Sequence, residues 1–133
     1  MLSASKLQSI VCSARMAEAE HFYSTILGLP LKGRSLGALV YEVGGSDLRV
    51  SPVPSIRPSE HTAIGFAVAD LSTDMSTLEE RGVQWERFPG FHHDERGVLQ
   101  APDGSRVVWL RDPNPCYRRD RAFRGLTVVY GWH

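Results

Sequence analysis

One pattern occurs twice in this chain, and it constrains the fold more than any other feature. The stretch Ala17 to Pro30, A-E-A-E-H-F-Y-S-T-I-L-G-L-P, reads as one amphipathic helix with a stop signal. Ala19, Phe22, Tyr23, Ile26 and Leu27 fall at i, i+3, i+4, i+7 and i+8, a single apolar stripe on the helical period. Gly28 supplies a left-handed C-cap and Pro30 forbids continuation. The arrangement returns at Ala67 to Val83, A-V-A-D-L-S-T-D-M-S-T-L-E-E-R-G-V, with Leu71, Met75 and Leu78 as the stripe and Gly82 as the stop. An apolar strand precedes each helix, and Gly and then a strand follow each. The chain therefore holds two copies of one supersecondary unit.

The rest of the chain fills in that plan. Residues 7–14 form a first strand, with Leu7, Ser9 and Val11 on one face and Gln8, Ile10 and Cys12 on the other. After the first helix come a short strand at 30–34, a turn at Ser35–Gly37, and A-L-V-Y-E-V-G-G (38–45), which ends in a Gly-Gly turn. S-D-L-R-V-S (46–51) is its hairpin partner. Three prolines in 52–60 mark a linker. H-T-A-I-G-F-A-V (61–68) opens the second half. Thr62, Ile64, Phe66 and Val68 fill one face, and the small set His61, Ala63, Gly65 and Ala67 lies on the other, which predicts room for a ligand above that face. The second helix spans Leu71 to Arg81. V-Q-W-E-R-F (83–88) and R-V-V-W-L-R (106–111) read as strands.

Composition narrows the function classes. At 133 residues the chain is one domain. Fifteen basic residues balance fifteen acidic ones, so no nucleic-acid partner is implied. No apolar run is long enough for a membrane span, and M-L-S-A-S-K-L-Q lacks the form of a signal peptide. Cys12 and Cys116 are too few for a disulfide framework and read as reduced thiols of a cytoplasmic protein. No G-x-S-x-G turn, G-x-G-x-x-G or phosphate loop is present.

The motifs H-F-Y-S-T-I-L-G-L-P, Y-E-V-G-G-S-D-L-R-V, F-A-V-A-D-L with L-E-E-R-G-V, and P-D-G-S-R-V-V-W-L-R-D-P, in that order, resemble the vicinal-oxygen-chelate superfamily. This is the group of glyoxalase I, bleomycin-resistance proteins and extradiol dioxygenases. The resemblance covers residues 7 to 113. It implies an α+β fold of two βαβββ modules forming a cupped, half-open sheet: module one at 5–51, linker 52–60, module two at 61–113 and a divergent tail at 114–133. It also implies a homodimer, since members of this length usually complete their pocket or packing with a second chain.

In metal-using members each module supplies one ligand from its first strand and one from its last. Carried onto this chain, the first-strand positions are Gln8, an acceptable ligand, and Ala63, which cannot coordinate. In the last strand of module one the position is Arg49, a fixed cation with no lone pair. The fourth is Val108 if P-D-G-S (102–105) is the turn before the last strand, or falls near Arg119 if R-D-P-N-P (111–115) is; the second register is preferred. Neither supplies a carboxylate, so the resemblance implies no family-type metal centre, no cofactor, and a divalent metal only as the minority alternative. The tail departs from the family. Its L-T-V-V-Y-G-W (126–132) has strand character, and three readings stay open: the missing final strand, a strand pairing with a partner subunit, or a disordered end.

The candidate ligand-binding residues are Gln8, Tyr41, Arg49, His61, Trp85 and Trp109. Each has a plainer reading. Arg49 either pairs with an acid of the same sheet such as Glu42 or awaits a ligand carboxylate or phosphate. His61 shares strand parity with Ala63, or is a strand-start histidine beside the linker. Trp85 and Trp109 stack on a ligand or fill the core. His92-His93-Asp94-Glu95 reads as a solvated loop rather than a metal site, and His21 as an exposed helix residue. Three functions follow: a small-molecule-binding protein of the bleomycin-resistance kind; a metal-dependent lyase, isomerase or dioxygenase using Gln8 and His61; and a non-catalytic interaction module.

Overall fold

Two four-stranded sheets built on one plan organise the molecule, seen here in a computed structural model that describes residues 2–54, 62–111 and 126–131. The first sheet has the order β1-β4-β3-β2, from β1 (Gln8–Ser13), β2 (Leu31–Ser35), β3 (Ala38–Val43) and β4 (Ser46–Pro52). Strand β1 lies parallel to β4, whereas β2, β3 and β4 form an antiparallel meander. The second sheet repeats this as β5-β8-β7-β6, from β5 (Thr62–Val68), β6 (Leu99–Gln100), β7 (Arg106–Arg111) and β8 (Leu126–Gly131). Again the first strand is parallel to the last, β5 to β8. The two-unit βαβββ expectation holds.

Local chemistry explains the elements. Leu36 and Gly37 turn the β2–β3 hairpin at φ 52° and 80°, and Gly44 and Gly45 turn β3–β4 at 55° and 83°. Two successive positive φ values give the turn whose twist matches that of paired strands. Helix α2 (Leu71–Glu80) starts where the Asp70 carboxylate accepts the Thr73 N–H at 3.1 Å, and its Leu71, Met75 and Leu78 are buried. The first helix departs from expectation. Its opening turns, α1 (Met16–Glu20), run into a π-helical segment, His21–Ile26, where the Leu27 N–H reaches five residues back to the Phe22 carbonyl at 2.8 Å. Gly28, at φ 71°, then reverses the chain, and the Leu29 N–H closes on the Tyr23 carbonyl at 3.0 Å.

The helices cover one face of each sheet, and the core lies between. Ala19, Phe22 and Tyr23 meet Leu39, Tyr41, Leu48 and Val50 of the first sheet; Leu71 and Met75 meet Val108, Leu110 and Val129 of the second. Among the described residues, the other face of each sheet has no helix.

The second unit differs from expectation in two places. Residues 83–88 form no strand; they run beside β7 with the Glu86 N–H donating to the Trp109 carbonyl at 2.8 Å. The stretch with strand character near the C-terminus is β8. It sits between β5 and β7, with Thr127 and Val129 buried, so the second unit extends to residue 131.

Candidate functional site

Register fixes which side chains share the helix-free face of the first sheet. Gln8 pairs with Asp47, Ile10 with Arg49 and Cys12 with Ser51 across β1–β4, and Val40 with Arg49 and Glu42 with Asp47 across β3–β4. Partners in a ladder point to one side. Gln8, Ile10, Arg49, Val40, Glu42 and Asp47 therefore form one surface, with the lysines at its edge. Asp47 accepts from Lys6 at 3.2 Å and from Lys32 at 3.1 Å, and Lys32 also pairs with Glu42 at 3.7 Å. The Lys32 hydrogen bond, and then that of Lys6, holds the Asp47 carboxyl below the usual carboxylate range.

Arg49 stands apart in that network. Glu42, the expected internal partner, is engaged by Lys32. The guanidinium reaches over the sheet to the Ser35 carbonyl at 3.2 Å, and no carboxylate among the described residues pairs with it. Gly33, which pairs with Val40, leaves open space where a side chain would stand. Beside Arg49, Ile10 keeps 60% of its surface exposed. An uncommitted cation next to an uncovered branched apolar side chain suits a molecule with an anionic end and an apolar body.

The corresponding face of the second sheet carries Gly65, Val128 and Trp109, joined by the register Gly65↔Val128 and Trp109↔Val128. Gly65 and Ala67 on this face are exposed. Trp109 is half-buried, edge-on to Phe88 at 5.4 Å and to His93 at 6.2 Å. The one cation on this face, among the described residues, behaves differently from Arg49: Arg111 pairs with Glu86 at 3.1 Å.

The structure thus brings Gln8 and Arg49 onto one surface and puts Trp109 on the matching face of the other sheet. Two candidates go elsewhere. Tyr41 pairs with Leu48 on the helix-covered face, is wholly buried, and shares a 2.8 Å hydrogen bond with Ser24. Burial pushes its phenol above the usual tyrosine value against that hydrogen bond. Trp85 donates from Nε1 to Glu79 at 2.8 Å, packs against Gly97 and borders the core. His61 lies outside the described residues.

Register also shows which residue of the second sheet answers to Arg49. Arg49 pairs with Ile10, two residues after Gln8; in the second sheet the residue pairing with Gly65, two after Ala63, is Val128. Val108, by contrast, is buried under the helices, and residue 119 precedes β8. The counterpart of Arg49 in the second sheet is therefore Val128, further along the chain than Val108 or residue 119.

The His92–Glu95 loop is organised around itself. His93 Nε2 accepts the Phe88 N–H at 3.1 Å, which puts the proton on Nδ1, facing the Gly97 carbonyl at 2.9 Å. The Asp94 Oδ1 accepts three backbone N–H groups, from Arg96, Gly97 and Val98, each at 2.9 Å. Among the described residues no three of His, Cys, Asp and Glu converge as a metal would require.

No family model matches this sequence, and no curated protein sequence does either. Solved structures do. A glyoxalase family protein from Bacillus anthracis superposes with a TM-score of 0.72 at 13% identity, covering 97% of this chain and 95% of its own. A lactoylglutathione lyase from Agrobacterium tumefaciens gives 0.68 at 17%, with 96% and 93% covered. A glyoxalase/bleomycin resistance protein from Catenulispora acidiphila gives 0.68 at 19%, with 98% and 100% covered. At such identities the likeness establishes the fold and nothing finer.

Proposed function

We propose that this chain, which has the fold of glyoxalases, bleomycin-resistance proteins and dioxygenases, binds a small, partly apolar, anionic molecule on its helix-free sheet face and uses no metal centre. Sequestration of a small molecule, as bleomycin-resistance proteins perform it, is the concrete version. The observation that carries the reading is Arg49. Its charge sits on the open face, its hydrogen bonding goes to one backbone carbonyl, and the carboxylates nearby are held by lysines. A ligand carboxylate or phosphate completes it bidentately. Ile10 offers the adjoining apolar surface, Gln8 an amide for a polar group, and Trp109 a ring face from the second sheet.

The metal-free part of the proposal rests on the donor set. Gln8, Ala63, Arg49 and Val128 stand at the four family positions, and only Gln8 has a lone pair to give. A second copy of the chain, covering Ile10 on the edge strand β1, would close the open face as a homodimer; that side chain is 60% exposed. Among the described residues no helix is long and apolar enough to cross a membrane. A cytoplasmic location remains part of this reading.

The test is a thermal-shift panel of aromatic carboxylates and phosphate monoesters on the wild type, Arg49→Lys and Arg49→Glu. The expected result is a ligand that raises Tm for the wild type, less for Arg49→Lys, and not for Arg49→Glu. A ligand that stabilises wild type and Arg49→Glu alike would sink the assignment of Arg49.

A further inference from the structure

We propose a second small-molecule site on the opposite, helix-covered side of the sheets, specific for a small uncharged aromatic compound bearing one hydrogen-bond donor. The site is a cleft of about 230 Å³ between the two units. Its apolar lining comes from both: Leu27 and Leu29 follow the first helix, Phe66 and Val68 belong to β5, Val129 to β8, and Leu78 to α2. Strand β5 is the edge of its sheet, and the α2 stripe covers β7 and β8. Phe66 and Val68 consequently face the helix side without being fully buried.

The polar groups lie along one wall. Asp74, Thr77 and Arg81 recur at helical spacing with Leu78 on the face of α2 that borders the cleft. Their unused valences decide what fits. Arg81 is turned to the other wall, with Nη1 donating to the Ile26 carbonyl at 2.9 Å. The Thr77 hydroxyl donates to the Thr73 carbonyl at 3.2 Å, which leaves its oxygen as an acceptor. The Asp74 carboxylate has no hydrogen-bond partner among the described residues. The Asp74 and Thr77 part of the wall therefore offers acceptors to a ligand, while Arg81 brings the wall's net charge to zero. An apolar space of about 150 Å³ takes a benzene ring; this cleft is larger, and suits a phenol or an indole with its O–H or N–H directed at Asp74.

Indole, phenol and toluene can be titrated into ¹⁵N-labelled full-length protein, following the backbone amides of Val68, Leu78 and Val129. Indole and phenol are expected to move these signals saturably. Asp74→Ala, an exposed change on the helix surface, is expected to weaken indole and phenol about tenfold, the loss of one hydrogen bond to a charged acceptor. Toluene, which has no donor, should bind wild type and Asp74→Ala equally. Thr77→Trp, which fills the cleft, should abolish all three, and Arg49→Glu should change none. Failure of indole to move the three amides up to its solubility limit would overturn the proposal. So would movement confined to residues around Arg49 and Trp109, or equal weakening of toluene by Asp74→Ala.

Discussion

Arg81, at the C-terminal end of α2, donates from Nη1 to the carbonyl oxygen of Ile26, 55 residues earlier and at the C-terminal end of the first helix. One side chain thus caps a helix in the other unit and ties the two repeats together where the helix leaves carbonyls unsatisfied. Gly28 makes the contact possible, since a Cβ there would stand 3.2 Å from Nη1 and the backbone sits at φ 71°.

Arg81→Ala is accordingly expected to lower unfolding stability by about 1 kcal/mol, below the usual range for a charged hydrogen bond because the side chain is exposed. Gly28→Ala should cost more, about 1–2 kcal/mol, through the left-handed backbone alone. Urea denaturation measures both. Equal midpoints for Arg81→Ala and wild type would remove the cap from the account.

Leu36 occupies the first turn position between β2 and β3 at φ 52°, 94% exposed. A branched side chain is strained there and gains no burial in return, whereas asparagine adopts that backbone readily. Leu36→Asn should therefore stabilise the protein by about 0.5–1 kcal/mol, seen as a higher Tm. A lower Tm would mean that Leu36 is covered in solution by a contact outside this chain.

The Asp94 carboxyl is held below the usual carboxylate range, first by the Val98 N–H and then by those of Arg96 and Gly97, against the opposing effect of desolvation. A carboxyl depressed in the folded state contributes stability that is fully present above its unfolded pKa of about 3.9 and is lost as the pH falls through the lower folded value. Wild type should lose more stability than Asp94→Asn between about pH 5 and pH 3. Parallel acid limbs for the two proteins would show that Asp94 does not hold the loop.

Strand β8 is inserted between β5 and β7, and its Thr127 and Val129 are 1% and 4% exposed. A chain ended after Arg111 would leave β5 without its parallel partner and uncover Val108 and Leu110. It should lose the cooperative unfolding transition seen for the full chain. A truncated chain that unfolds at the same midpoint would contradict the assignment of β8 to the sheet.

The repeat was legible because each helix carries its own stripe and stop: Gly28 and Gly82 both adopt positive φ, and Ala19, Phe22, Tyr23, Leu71, Met75 and Leu78 are all buried. The π-helical turns at His21–Ile26 were not, since a stripe at i, i+3 and i+4 looks alike whether the N–H groups reach four residues back or five. Nor was the register of the last strand, because the motif that ought to precede it has drifted and only pairing with Gly65 identifies Val128. Arg49 stands out in the sequence because the resemblance puts it at a ligand position in the last strand of module one. That Glu42 would answer Lys32 instead depended on where β2 lies against β3, a tertiary matter. Tyr41 and Trp85 show the limit of residue type as a guide. Each has a polar atom suited to a ligand, and each gives it to a neighbour, Ser24 and Glu79.

A binding site that works through Arg49 without metal is tested most directly by elemental analysis. Purified, untagged protein would be incubated with nickel, zinc, manganese and iron, desalted, and measured for metal per chain. No stoichiometric metal is expected, because three of the four family positions hold Ala63, Arg49 and Val128. About one metal per chain, lost in Gln8→Ala or on changing His61, would contradict it and make the protein a metal-dependent enzyme of this fold.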